Sequence, residues 1–183
     1  MTENANRRSA RRVPAPAPDK RARAKQISLQ TAAALAERAR ADGRVVVLAN
    51  GAFDLLHVGH VRYLAAARAL GDILVVAVNS DVSVRALKGP QRPIAPADER
   101  IEILSHLDCV DWIVVFDEPT VAQVLSELHP LIHAKGTDYT AETVPEREVV
   151  KEWGGRTEIC GDPKGHATTD LISEILARFS PPR

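Results

Sequence analysis

An α/β fold, a parallel sheet with helices on both faces, is what this sequence predicts, and three observations carry the expectation. From residue 28 onward, short Val- and Ile-rich runs alternate with segments of helical periodicity, the pattern of βαβ units. The runs at 45–48 and 73–78 are apolar at successive positions, as strands covered on both faces are. Of 183 residues, 45% are hydrophobic and 26% charged, so a sizeable core is available without disulfides, and a disordered, collagen-like or disulfide-stapled chain is excluded.

Taken in order, the first 25 residues hold eight basic side chains against Glu3 and Asp19, and almost no large apolar residue. Such a segment cannot bury enough surface to offset its ordering entropy, so residues 1–27 are expected to form a disordered basic tail and 28–183 a single domain. The tail has no aromatic residues for base stacking, and no specific nucleic-acid partner is expected. Ser28 can cap a helix in which Leu29, Ala32, Ala33, Leu35 and Ala36 recur at helical spacing until Gly43. Strands follow at 45–48, 73–78, 112–115, 131–134 and 157–159. Helices are expected at 59–70, 97–107, 121–128, 145–153 and 169–179, and no internal repeat is present. The longest near-apolar runs fall far short of the ~18 residues that cross a bilayer, and no apolar stretch follows the N-terminal arginines. A cytoplasmic protein with no membrane partner is the expectation. Cys109 and Cys160 lack metal-ligand spacing and read as core or loop thiols.

Open parallel sheets bind ligands at the carboxyl ends of their strands. The segment after the first strand is Asn50-Gly51-Ala52-Phe53-Asp54-Leu55-Leu56-His57-Val58-Gly59-His60. Two histidines three apart at a helix start share a face and can reach one anion at the positive helix end. Gly59 would let a phosphate approach the backbone, and Gly51 permits a tight turn out of the strand. Neither the dinucleotide fingerprint nor the Walker A loop is present, which counts against dehydrogenases and P-loop kinases. A zinc site is the rival reading of the histidines. It needs a third ligand, and only Asp54 is local.

The run Gly51-Ala52-Phe53-Asp54 with His57-Val58-Gly59-His60 resembles the GxFDxxHxGH signature of the cytidylyltransferase-like nucleotidyltransferase superfamily. Within it, the chain is most similar to the heptose 1-phosphate adenylyltransferase branch. The likeness extends over about residues 45–175 and includes Asn50, the run Val76 to Asp81, Leu87-Lys88-Gly89, Arg92-Pro93, Glu99-Arg100, Val110-Asp111-Trp112, Lys135-Gly136-Thr137-Asp138-Tyr139 and Thr168-Thr169-Asp170-Leu171-Ile172.

The resemblance implies a Rossmann-like nucleotidyltransferase fold and transfer of AMP from ATP to D-glycero-β-D-manno-heptose 1-phosphate, with Mg²⁺ accompanying the ATP. It also implies a homodimer. His57, His60 and Lys88 would be catalytic, the histidines on the triphosphate and Lys88 as a mobile charge on the Gly89-Pro90 loop. Asn50, Gly51, Ala52, Phe53, Asp54, Gly59, Arg100, Lys135, Gly136, Asp138, Thr168 and Thr169 would bind nucleotide, and Asn79, Asp81 and Lys88 the sugar phosphate. Asp54 could instead touch magnesium or accept backbone N–H groups, the structural role being favoured. Ala167 stands where relatives carry a serine, removing one hydroxyl from the terminal motif. His106, His129 and His133 are read as structural. Two alternatives stay open: a cytidylyltransferase acting on glycerol 3-phosphate or another phospho-alcohol, and a non-catalytic nucleotide-binding regulatory module.

Overall fold

The computed structural model describes residues 20–162 and 168–180. Five strands, β1 (Val46–Gly51), β2 (Ile73–Asn79), β3 (Trp112–Phe116), β4 (Ile132–Lys135) and β5 (Arg156–Ile159), form one sheet in the order β3-β2-β1-β4-β5. Every pairing is parallel, with Val46 opposite Ile73, Val75 opposite Trp112, Val47 opposite Ile132 and Ile132 opposite Arg156. β2 is buried along its whole length, as its unbroken apolar run requires. Connecting them are α1 (Lys20–Lys25), α2 (Leu29–Ala41), α3 (Val58–Arg68), α4 (Asp81–Lys88), α5 (Ala97–Ser105), α6 (Ala122–Leu128), α7 (Arg147–Lys151) and α8 (Thr168–Phe179).

Alternate side chains of the central strands feed two cores, one on each face. Val46, Leu48, Val75 and Ala77 pack with α2 and α6, while Val47, Ala49, Leu74, Val76 and Val78 pack with α3 and α5. The chain winds outward from β1 through β2 to β3, then returns to the other side for β4 and β5. The order therefore reverses between β1 and β4, and their carboxyl ends part to leave a crevice.

Two helices depart from the sequence expectation. α4 was not foreseen; Ser80 caps it, its hydroxyl accepting the Ser83 N–H, and Lys88 is its last residue rather than part of a loop. Gly89 ends it at φ 95°, a conformation L side chains rarely adopt. Residues 20–27, assigned to a disordered tail, are ordered. α1 runs to Lys25, whose ammonium donates to the Leu107 carbonyl, Gln26 bridges to Ile113, and Ile27 donates its N–H to the Ile113 carbonyl. The expected disorder of residues 1–19 lies outside the described residues. Ile27 packs on the α2 side of the core. Truncation through residue 27 is therefore expected to cost about 2–4 kcal/mol relative to truncation through residue 19, from lost burial and hydrogen bonds. Urea unfolding of the two truncated proteins measures the difference.

Candidate active site

The crevice between β1 and β4 opens into a cleft of ≈ 740 Å³, the size of a small-ligand pocket. β1 delivers Asn50 and Gly51 to its floor, and the loop to α3 delivers Ala52, Phe53, Asp54 and His57. Gly51 is not left-handed, so its role differs from the turn expected of it. A Cβ there would meet the Phe53 ring at 3.2 Å. Phe53, at φ 49°, folds its ring back over Gly51 and lies 5.4 Å from the His60 ring. The glycine makes room for the aromatic wall behind the histidine.

His57 is the N-cap of α3 and His60 its third residue, with ring centroids 3.9 Å apart. His60 Nδ1 accepts the backbone N–H of His57 at 3.4 Å, a reciprocal capping arrangement. With Nδ1 accepting, the proton of neutral His60 resides on Nε2. Burial, then the nearby charges of His57 and Lys88, push its pKa down to about 4. His60 is thus a neutral N–H donor at physiological pH, beside the partial positive charge of the α3 N-terminus. Gly59, between the two histidines, also lines the cleft.

Lys88 comes in from the end of α4. Desolvation and then Arg92 lower its pKa, while Asp54 and Asp138 oppose the shift. From β4 come Lys135, Gly136 and Asp138, as the strand order predicts, and the N-terminus of α8 adds Thr168 and Thr169. Asn79 lines the cleft at the end of β2. Ala167 falls outside the described residues.

The assignments of Arg100 and Asp81 change, while Asp54 takes the structural role favoured for it. Arg100 has no exposed surface to offer a nucleotide: its guanidinium donates to the carbonyls of Ala52, Ala95 and Asn79 and pairs with Asp81 at 2.8 Å. It ties the end of β2 to the loops at Ala52 and Ala95 under the cleft, and Asp81, placed at the substrate by resemblance, is occupied as its partner and does not line the cleft. Asp54 is almost wholly buried, with Oδ1 accepting the N–H groups of Ile94 and Ala95 and Oδ2 paired with Arg92. Both oxygens are committed, so Asp54 fits a structural role and not that of a magnesium ligand. Among the described residues no group of three His, Cys, Asp or Glu side chains could hold a metal ion.

Sequence reasoning missed Glu146, buried on the cleft wall, and it gave no role to Tyr139, whose ring lies 4.6 Å from the Lys135 ammonium. An isolated Pro-Glu pair before a short helix carries no signal that would have marked Glu146. Under the floor sits His133, fully buried, its pKa pushed down to about 3 by burial and then by Lys135. For a histidine whose folded pKa lies below the unfolded 6.5, protonation favours the unfolded chain. Stability is complete above pH 6.5 and falls as pH drops towards the folded pKa. Between pH 7.5 and pH 5, His133 is expected to cost about 2 kcal/mol, a difference that urea titrations would read and that His133→Gln would remove.

A parallel sheet with its crevice at the β1/β4 reversal, a histidine pair on a helix N-terminus and lysines on two further walls is the build of a nucleotidyltransferase. Residues 48–175 match the cytidylyltransferase-like family model, and the chain belongs to that family. It is 49% identical over 148 residues to the bifunctional protein HldE of Pelobacter propionicus, covering 81% of this chain and 30% of that one. HldE of Streptomyces coelicolor is 47% identical over 158 residues, 86% of this chain and 34% of the relative. The chain thus spans about a third of the length of these curated relatives. The crystal structure of the lipopolysaccharide core biosynthesis protein from Thermoplasma volcanium superposes with a TM-score of 0.57 at 30% identity, covering 68% of this chain and all of the other.

Proposed function

We propose that the chain transfers AMP from ATP to D-glycero-β-D-manno-heptose 1-phosphate, releasing pyrophosphate and an ADP-heptose for surface glycan assembly. The observation that carries the chemistry is the His57–His60 pair, with ring centroids 3.9 Å apart on the α3 N-terminus and Lys88 near enough to act on His60. The similarity to bifunctional HldE and to a lipopolysaccharide core biosynthesis protein supports the choice of sugar.

An acceptor phosphate oxygen attacks the α-phosphorus, a P–O bond forms, and the bond to the bridging oxygen breaks with its electron pair leaving on pyrophosphate. No covalent intermediate on the protein is required. Both reactants are anions, so the residues align them and balance developing charge. His60 Nε2–H donates to the triphosphate without first taking up a proton, which avoids the cost of charging a buried ring. Lys88 supplies a point charge from the end of α4, next to the Gly89 turn. Magnesium accompanying ATP would neutralise triphosphate charge without a ligand from Asp54, whose oxygens are engaged with Arg92, Ile94 and Ala95.

Pyrophosphate release, crossing ATP, CTP and GTP against α- and β-heptose 1-phosphate and glycerol 3-phosphate, tests the proposal. Release with ATP and the β-anomer is expected. Release only with CTP and glycerol 3-phosphate would replace these substrates, and nucleotide binding with no release for any pair would identify a binding module.

A further inference from the structure

Asn50 is the next-to-last residue of β1 at the strand-order reversal, half-buried on the cleft floor. Its side-chain oxygen lies 3.0 Å from His133 Nε2 and 3.3 Å from Lys135 Nζ. An ammonium only donates, so the atom facing Lys135 has to be the carbonyl oxygen, and chemistry fixes which way the amide points. The same oxygen then accepts from His133, which sets the ring as the Nε2–H tautomer. His133 Nδ1 accordingly has no hydrogen-bond partner among the described residues. Neither anchor is free to move: His133 has no exposed surface and Lys135 is 7% exposed. Burial lowers the pKa of Lys135, and the charge of Glu146 opposes that shift.

With its oxygen held from below by two donors, the Asn50 amide has only its NH₂ left to present. That NH₂ makes no hydrogen bond to a described residue, and Asn50 lines the cleft together with His57, His60, Lys88 and Lys135. Lys88, Lys135 and the N-terminus of α3 give part of this cleft a positive potential that suits an anion, while Asp54, Asp138, Glu146, Asp162 and Asp170 line the rest. A neutral amide adds a directional donor there without setting a further cation against Lys135.

We propose that His133 and Lys135 are positioning residues that lock the Asn50 amide with its N–H groups turned into the cleft, where they donate to a phosphoryl oxygen of a bound substrate. The proposal rests on the nucleotidyltransferase reading and adds to it the residue that orients a phosphoryl group and the two that orient the residue. The oxygen belongs either to the nucleotide or to the sugar phosphate; the chemistry of recognition is the same.

The deciding variant is Asn50→Asp. It is isosteric, keeps an acceptor for both His133 and Lys135, and turns the atom facing the cleft from a donor into an anionic oxygen. A merely structural Asn50 would tolerate this change, since the contact with Lys135 becomes an ion pair. The expected result is a melting temperature equal to or above wild type, with pyrophosphate release reduced at least 100-fold. Calorimetric titrations with Mg·ATP and with heptose 1-phosphate, done separately, assign the oxygen to whichever ligand loses at least tenfold in affinity. Asn50→Ala removes the donor without adding charge, so it decides the matter if the aspartate variant does not fold; at least a tenfold loss of release is expected. His133→Phe keeps a ring and removes the N–H, and is expected to lower kcat about tenfold, with His133→Gln recovering most of it through its amide donor. Folded Asn50→Asp and Asn50→Ala with release within twofold of wild type would overturn the amide's role while leaving the functional reading intact. A wild-type chain that binds neither ligand overturns both. If the wild type binds ATP without transfer, an undiminished affinity of Asn50→Asp for Mg·ATP overturns the proposal, and a tenfold loss supports it.

Discussion

Replacing His60 with alanine is expected to lower pyrophosphate release by about 10²–10³-fold, the scale of removing one preorganised donor from a developing negative charge. The geometry makes this loss specific to chemistry. His60 Nε2–H is aligned by the bond that Nδ1 receives from the His57 backbone, and Phe53 backs the ring. The fold should lose only the capping interaction, on the order of 1 kcal/mol, because the rest of α3 is held by Tyr63, Leu64 and Ala67 in the core. His57→Ala is expected to act similarly. The double variant should cost far less than the product of the singles, since each ring orders the other across 3.9 Å. Rapid-quench turnover alongside thermal melts checks this. A folded His60→Ala protein turning over within about threefold of wild type would remove His60 from the reaction.

Much of this molecule is legible in its sequence because its central strands, β1 and β2, are buried on both faces. The unbroken run at 73–78 has no competing reading, and β2 extends it only to Asn79. The histidine pair is equally local: both rings belong to one helix start, so spacing alone brings them together. What sequence could not show is whatever depends on pairing across the sheet. His133 and Asn50 are 83 positions apart and meet only because β4 lies beside β1, a neighbour relation set by the reversal in winding order. Arg100 shows the converse failure, since resemblance gave it a place near the nucleotide. An arginine on a helix with two acidic residues in its first turn does not reveal that its guanidinium runs inward to three backbone carbonyls. α4 was missed for a third reason: it is only eight residues long and buries just Ser83 and Val84, leaving Val82 and Leu87 exposed, so its segment is too short to stand out as a helix, and its Ser80 cap becomes informative only with the strand end before it.

Arg100→Met is expected to destabilise the protein by about 3–5 kcal/mol, a large share of a domain's total stability. The side chain has no exposure, and its donors satisfy the carbonyls of Ala52, Ala95 and Asn79 while pairing Asp81. Methionine fills much of the volume but leaves those oxygens without donors in a site that water reaches poorly, at a cost of about 1–3 kcal/mol for each one that stays unsatisfied. Lysine should recover little of the loss. One ammonium with three hydrogens cannot span acceptors on a strand end and two separate loops, whereas the planar guanidinium offers five donors in a fixed fork. Asp81→Ala is a graded control: its side chain is 35% exposed, and Arg100 keeps three carbonyl partners without it, so about 1 kcal/mol is expected. Ala52 precedes the Phe53–Asp54 turn, and Asn79 precedes the Ser80 cap of the helix that ends in Lys88. Loosening both should therefore also lower kcat in whatever Arg100→Met protein remains folded, with the urea midpoint and turnover falling together. An Arg100→Met midpoint that implies less than about 1 kcal/mol of lost stability would mean that the backbone carbonyls find other partners, and the bracing role would fall.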